Sequence, residues 1–172
     1  MDILDVRDIF FSFKGRIRRG TWWMSVIGMG FVNWIAQSVI APMILGNLGR
    51  PHWVQPPFVM AYPHKHMWVT LVFGIVLLWP SFALAVKRAH DRGRSGRLEV
   101  AMIAIGAVLG WSGVALLSYD LISAATYLVL ICLCGPPSLY VLVAVGFLPG
   151  TPGANAYGPD PKTTPIQSRR LN

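Results

Sequence analysis

Four apolar stretches, at about residues 22–45, 67–86, 98–117 and 121–147, constrain this chain more than any other feature of its sequence. A helix rises 1.5 Å per residue, so about twenty residues cover the roughly 30 Å hydrocarbon core of a bilayer. Lipid offers no water to an unpaired amide, and a single spanning segment meets its own hydrogen-bonding needs only as a helix. The expected fold class is therefore all-α: a polytopic membrane protein with four transmembrane helices. Composition agrees, since 54% of the residues are hydrophobic and only 13% charged, whereas soluble domains average about 25% charged.

The segments between the stretches complete the plan. Residues 1–13 place Ile3, Val6, Ile9, Phe10 and Phe13 at three- and four-residue spacing, the pattern of a short interfacial helix. The first twenty residues lack the apolar core of a secretory leader, so the first span is expected to act as an uncleaved signal anchor. Residues 1–147 make the membrane domain; residues 148–172 are rich in proline and glycine and read as a cytoplasmic tail with a disordered end. Thirteen of the fifteen Lys and Arg residues fall before the first span, between the second and third, or after the fourth. Arg50 and Lys65 alone lie on the other side. The positive-inside rule then puts both termini in the cytoplasm.

Within the spans, Trp22 and Trp23 suit the inner interface. Gly106, Gly110 and Gly113 form a stripe that lets another helix approach closely. Only residues 118–120 separate the third span from the fourth, which requires a tight antiparallel hairpin. Gly135-Pro136-Pro137 is expected to bend or split the fourth span near mid-depth, because each proline removes an amide donor and crowds the preceding turn. Cys132 and Cys134 point about 200° apart on a helix and read as buried structural thiols.

Three basic-side segments look too specific for topology alone: Phe13 to Arg19 leading into Trp22-Trp23, Arg88 to Gly96, and Gly150 to Pro161. At these residues the chain resembles the DUF805 family of bacterial inner-membrane proteins of unknown function, over roughly residues 10–161. The resemblance rests on Phe13, Gly15, Arg16, Arg19, Trp22 and Trp23; on Arg88, His90, Asp91, Ser95 and Gly96; and on Gly153, Asn155, Tyr157, Gly158 and Pro161. It departs at Arg97, where the family begins an aromatic-rich span. It implies an inner-membrane location and four helices, and no established activity.

The chemistry of the segments suggests two uses. Guanidinium groups bind phosphate in a bidentate fork, and cations near the surface attract anionic head groups. Arg16, Arg19, Arg88, His90, Arg92 and Arg94 are the candidate lipid or anion ligands. Asp91, Ser95, Gly96, Asn155 and Tyr157 are candidates for a structural knot that ties the inner helix ends together. Asp91 is the only acidic residue from Lys87 to Arg97 and should accept from Arg16, Arg19 or Arg88.

The expected function is non-catalytic: an integral inner-membrane protein whose arginine-rich site binds anionic lipid or a partner protein, with a homo-oligomer also open. The alternative is a small-solute transporter or channel lined by Asn33, Gln37 and the broken fourth helix. Glu99 sits at a span entry, where a connector arginine can pair with it. His90, Asp91 and Ser95 are the residue types of a hydrolytic triad, but adjacency in sequence does not supply its oriented geometry. His52, His64 and His66 on the outer side could meet a metal, although no carboxylate or cysteine accompanies them. No cofactor, metal or nucleic acid is implied; the net charge of +8 sits beside apolar runs, where it holds topology.

Overall fold

The structure, a computed structural model, describes residues 3–40, 43 and 64–161. The outer loop with His52, the bend expected at Pro42, the end of the first span and the tail beyond residue 161 lie outside the described residues. Helix α1 (Ile3–Phe11) leads through an extended segment to α2 (Arg19–Ile35), which continues as a wide π-type turn over Ala36–Ile40. Helix α3 covers His64–Asp91, α4 Arg97–Ser118 and α5 Ala124–Val141, and a second wide segment follows at Leu142–Phe147. Among the described residues, four helices are long and apolar enough to cross a membrane: Arg19–Ile40, Leu71–Asp91, Arg97–Leu117 and Ala124–Phe147. The molecule is an all-α polytopic membrane protein.

Several boundaries differ from the sequence reading, each for a physical reason. The second span does not stop at the first charge: α3 runs on through Lys87 and Arg88 to Asp91. Lys87 and Arg88 are buried and find acceptors on neighbouring elements, so they continue the helix rather than end it. The turn between α4 and α5 is longer than three residues because Ser123 sets the start of α5. Its hydroxyl accepts from the Thr126 amide at 3.2 Å, which caps the helix after Leu121 and Ile122.

The fourth span is not broken at Gly135-Pro136-Pro137. Helix α5 passes through both prolines without interruption. Proline's fixed φ is a helical value, so the chain stays helical although the pair removes two amide donors. The irregularity comes later, in the wide turns of residues 142–147. Neither cysteine is buried: Cys132 is exposed on the bundle surface, and Cys134 is half-buried with its thiol 3.8 Å from the Gly106 carbonyl. Trp22 turns inward to its neighbours. It is 6% exposed and belongs to a core with Ile17, Leu84, Ala144 and Val145.

That core sits at one end of the bundle, where α1, the start of α2, the end of α3 and the end of α5 meet. Ile9 and Phe10 of α1 pack against it, and Phe13 meets Trp79 edge to face at 5.1 Å. The connector from α3 to α4 must turn sharply here, and Gly96 makes this possible. Its φ is +76°, and a Cβ there would stand 2.8 Å from the Val86 Cα. Both the left-handed backbone and the close approach exclude a side chain.

Candidate functional site

The charged segments converge at this same end, around the last turn of the fourth span. A helix leaves its final carbonyls without intrahelical partners and carries partial negative charge there. Residues 144–148 present five such carbonyls in succession, and a side chain from another element meets each one. Arg92 donates to Ala144 at 2.8 Å, Arg88 Nε to Val145 at 2.9 Å and Trp23 Nε1 to Gly146 at 3.2 Å. Arg19 donates to Phe147 at 3.1 Å, and Arg88 Nη2 donates to Leu148. Three arginines and one indole thus cap the end of the fourth span.

Asp91 is the counter-charge. It is 5% exposed, and its Oδ1 accepts from Arg16 Nε at 3.1 Å and Nη2 at 3.0 Å. Its Oδ2 accepts from Arg88 Nη1, one turn back on α3. A carboxylate removed from water needs such partners, and here two guanidinium groups supply them. The second cation is itself fully buried: Arg88 is 0% exposed.

The segment after the fourth span closes over this pair, so residues 149–161 fold back rather than trail away. Thr151 donates its amide (2.8 Å) and its hydroxyl (3.0 Å) to the Asp91 carbonyl. Arg16 donates onward to the carbonyls of Thr151 and Gly153, both at 2.7 Å, and of Gly158 at 3.3 Å. Asn155 donates to the His90 carbonyl at 2.9 Å and accepts the Tyr157 amide at 2.9 Å, which shapes the turn. Asp160 holds the Gly153 amide at 3.0 Å. At Gly150 a Cβ would lie 2.0 Å from Asp91 Oδ2, so only glycine lets the chain pass this close to the carboxylate.

The remaining candidates ring this centre. The His90 ring stacks on Tyr157 at 3.9 Å, with its Nδ1 3.2 Å from the Gly15 carbonyl. Arg94 reaches Tyr140 Oη at 3.3 Å and Glu99 at 3.8 Å, and the Tyr140 hydroxyl donates to the buried Glu99 at 3.4 Å. Ser95 is exposed and Gly96 buried. His90, Asp91 and Ser95 do not assemble as a triad: two guanidinium groups take the carboxylate, and the imidazole faces a carbonyl and a phenol. Asn33 and Gln37 are half-buried on the first span, ten or more residues along it from Trp23. Among the described residues no group of three or more His, Cys, Asp or Glu could hold a metal ion.

Sequence reasoning missed several participants, among them Tyr140 and Asp160. Lys87 donates to the Asp8 carbonyl and lies 3.8 Å from its carboxylate, tying α1 to α3. Trp23, Gly150 and Thr151 act at the centre as described. Gly150 and Thr151 stood inside a motif that the sequence singles out, but a backbone that passes over a carboxylate leaves no other mark.

A groove of about 790 Å³ opens beside the cluster, between α1, the extended segment and the first turns of α2. Lys14, Arg18 and Lys87 stand on its walls with Phe10, Ile17 and Met24.

Comparison with known proteins places the chain. The profile of the family described as "Protein of unknown function (DUF805)" matches residues 10–159, and the chain belongs to that family. It is 28% identical over 158 residues to the uncharacterized protein YiiR of Escherichia coli (strain K12), covering 91% of this chain and 90% of that one. It is 25% identical over 162 residues to the inner membrane protein YhaH of the same organism, covering 94% and 97% of the two chains. No solved structure matches it.

Proposed function

We propose that this DUF805 protein is a non-catalytic, multi-pass protein of the bacterial inner membrane, with both termini in the cytoplasm, whose basic end engages anionic phospholipid. The location draws on the likeness to the inner membrane protein YhaH, on the four apolar helices and on the placement of thirteen of fifteen cations on one side of the spans. The lipid reading rests on one observation. The side chains of Arg16 and Arg88 are buried and matched by Asp91 and by carbonyls, whereas Lys14, Arg18, Arg19, Arg94 and Arg97 stand exposed at the same end, Arg19 and Arg94 while also holding Phe147 and Glu99. Each cation near an anionic leaflet contributes about 1 kcal/mol.

Two measurements test this. A reporter fused after Asn172 should behave as cytoplasmic, and a periplasmic readout would overturn the orientation. In nanodiscs of mixed phosphatidylglycerol and phosphatidylcholine, the lipids co-purifying with the protein should be enriched in phosphatidylglycerol. Arg94→Gln with Arg97→Gln should lower that enrichment. A shell with the bulk composition around the wild-type protein would reject the lipid reading, and a protein co-purifying in place of lipid would favour a partner instead.

A further inference from the structure

We infer that the groove between α1 and α2 is a specific site for one anionic phospholipid, with its phosphate at the basic mouth and an acyl chain along α2. This rests on the lipid reading above and narrows it from a charged surface to a seat.

The groove's lining changes character along its length. At the mouth stand Lys14 and Arg18, both exposed, with Lys87 and Asp8 on the α1 side. Arg18 donates its Nε to the Pro161 carbonyl, which anchors the exposed guanidinium beside the groove. Arg16 also lines the mouth, but Asp91 and three carbonyls occupy it. From there the wall is a strip of α2: Thr21, Met24, Ser25 and Gly28, spaced by three, one and three residues on one helical face. Seven residues of helix descend about 10 Å, from the charged end of the first span into its apolar part. Ile9, Phe10 and Ile17 face this strip.

A soluble anion would use the mouth and leave the strip empty. An uncharged apolar molecule would use the strip and gain nothing from the charges of Lys14 and Arg18. A phospholipid matches both: charge for the guanidinium and ammonium groups, and hydrocarbon for the Met24–Gly28 track. The volume of about 790 Å³ lies within the roughly 300–1,000 Å³ of small-molecule sites. Glycine at position 28 keeps the lower end of the track clear, because nothing stands within 4 Å of where its Cβ would be.

That clearance supplies the test. Gly28→Leu puts a side chain into the track at a helical position where the first added carbon meets nothing within 4 Å. The probe is phosphatidylglycerol, read by native mass spectrometry of the full chain as collisional activation strips its lipids. The wild type should keep one phosphatidylglycerol after the others have left. Gly28→Leu should lose that last lipid while the overall enrichment of the shell stays at the wild-type level. Lys14→Gln with Arg18→Gln should keep a lipid but lower its preference for phosphatidylglycerol over phosphatidylcholine by about tenfold or more. Soluble glycerol phosphate should fail to displace it. Retention of the last lipid by Gly28→Leu, or displacement by glycerol phosphate, would overturn the seat and leave the broader reading standing. A wild-type shell with no enrichment would remove the broader reading first. If Gly28→Leu does not fold, an unchanged lipid preference in the Lys14 and Arg18 double variant refutes the seat by itself.

Discussion

The two ends of the same helices are held by different physics. At the basic end, five consecutive carbonyls are capped from three other elements, and a buried carboxylate joins Arg16 to Arg88. Among the described residues, polar ties between the spans include Cys134 to Gly106, and Tyr140 to Glu99 near the basic end. Of the apolar stretch of α3, 39% is buried inside the bundle, and of α4 only 6%. Lipid is as apolar as leucine, so burying a span against its neighbour gains little and packing must come from close fit. Geometry-dependent bonds fix the relation of one helix to another, and here they gather at the basic end. That end should determine the fold, and the spans should tolerate exchange of one apolar residue for another.

The sharpest way to break this contrast is to remove the counter-charge. Asp91→Ala leaves Arg16 and Arg88 buried together, and losing one partner of a buried pair costs about 3–5 kcal/mol. We expect a large fall in the thermal unfolding temperature in detergent, whereas Leu133→Ala, on an exposed apolar side chain of α5, should change it little. Equal losses at the two sites would show that the spans hold the fold as firmly as the knot.

Next in size is Gly150→Ala. Its Cβ would fall 2.0 Å from Asp91 Oδ2, and two guanidinium groups hold that oxygen's carboxylate in place. Overpacking of this kind costs about 1–3 kcal/mol. The loss should be seen as lower thermal stability and as earlier proteolysis of residues 149–161, since those residues lie over the carboxylate. An unchanged cleavage pattern would mean that the strand over Asp91 is not held there.

Smaller again is a change at the opposite end of α5. Ser123→Ala removes an exposed cap and should cost about 1 kcal/mol, less than either substitution above. A larger loss would show that the far end carries more of the fold than its bonds suggest.

The sequence states charge and hydrophobicity directly, so the helical class and the four apolar runs are legible in it. So is the need of Asp91 for cations, because it stands alone among five of them from Lys87 to Arg97. What stays hidden is the identity of the acceptors. Arg88, Arg92 and Arg19 spend donors on carbonyls of residues 144–148, and no sequence pattern advertises a carbonyl. Nor could the prolines announce their outcome: a break and an unbroken helix differ in how the neighbours adjust, not in Pro136 and Pro137 themselves. Lys87 misleads for a related reason. A lysine normally marks the end of a span, but this one is buried against α1, a partner nearly eighty residues away.

The smallest expected effect tests the span side of the contrast, through the glycines of α4. They form one stripe in sequence but not one contact in space. A Cβ at Gly113 would stand 3.3 Å from the Tyr127 ring, so that ring must yield by a few tenths of an ångström. At Gly110 nothing lies within 4 Å of the added carbon. Gly113→Ala should therefore lower stability by only a few tenths of a kcal/mol, because strain of about 1 kcal/mol is partly offset by the gain of alanine over glycine in a helix. Gly110→Ala should be neutral or slightly stabilising, because alanine loses less backbone entropy in a helix, by about 0.5–1 kcal/mol. Paired melting curves in the same detergent decide the matter. If Gly110→Ala is as costly as Gly113→Ala, the Gly110 face meets another helix rather than lipid. The low burial of α4 would then describe a surface awaiting a partner, and the spans would carry more of the assembly than the single chain reveals.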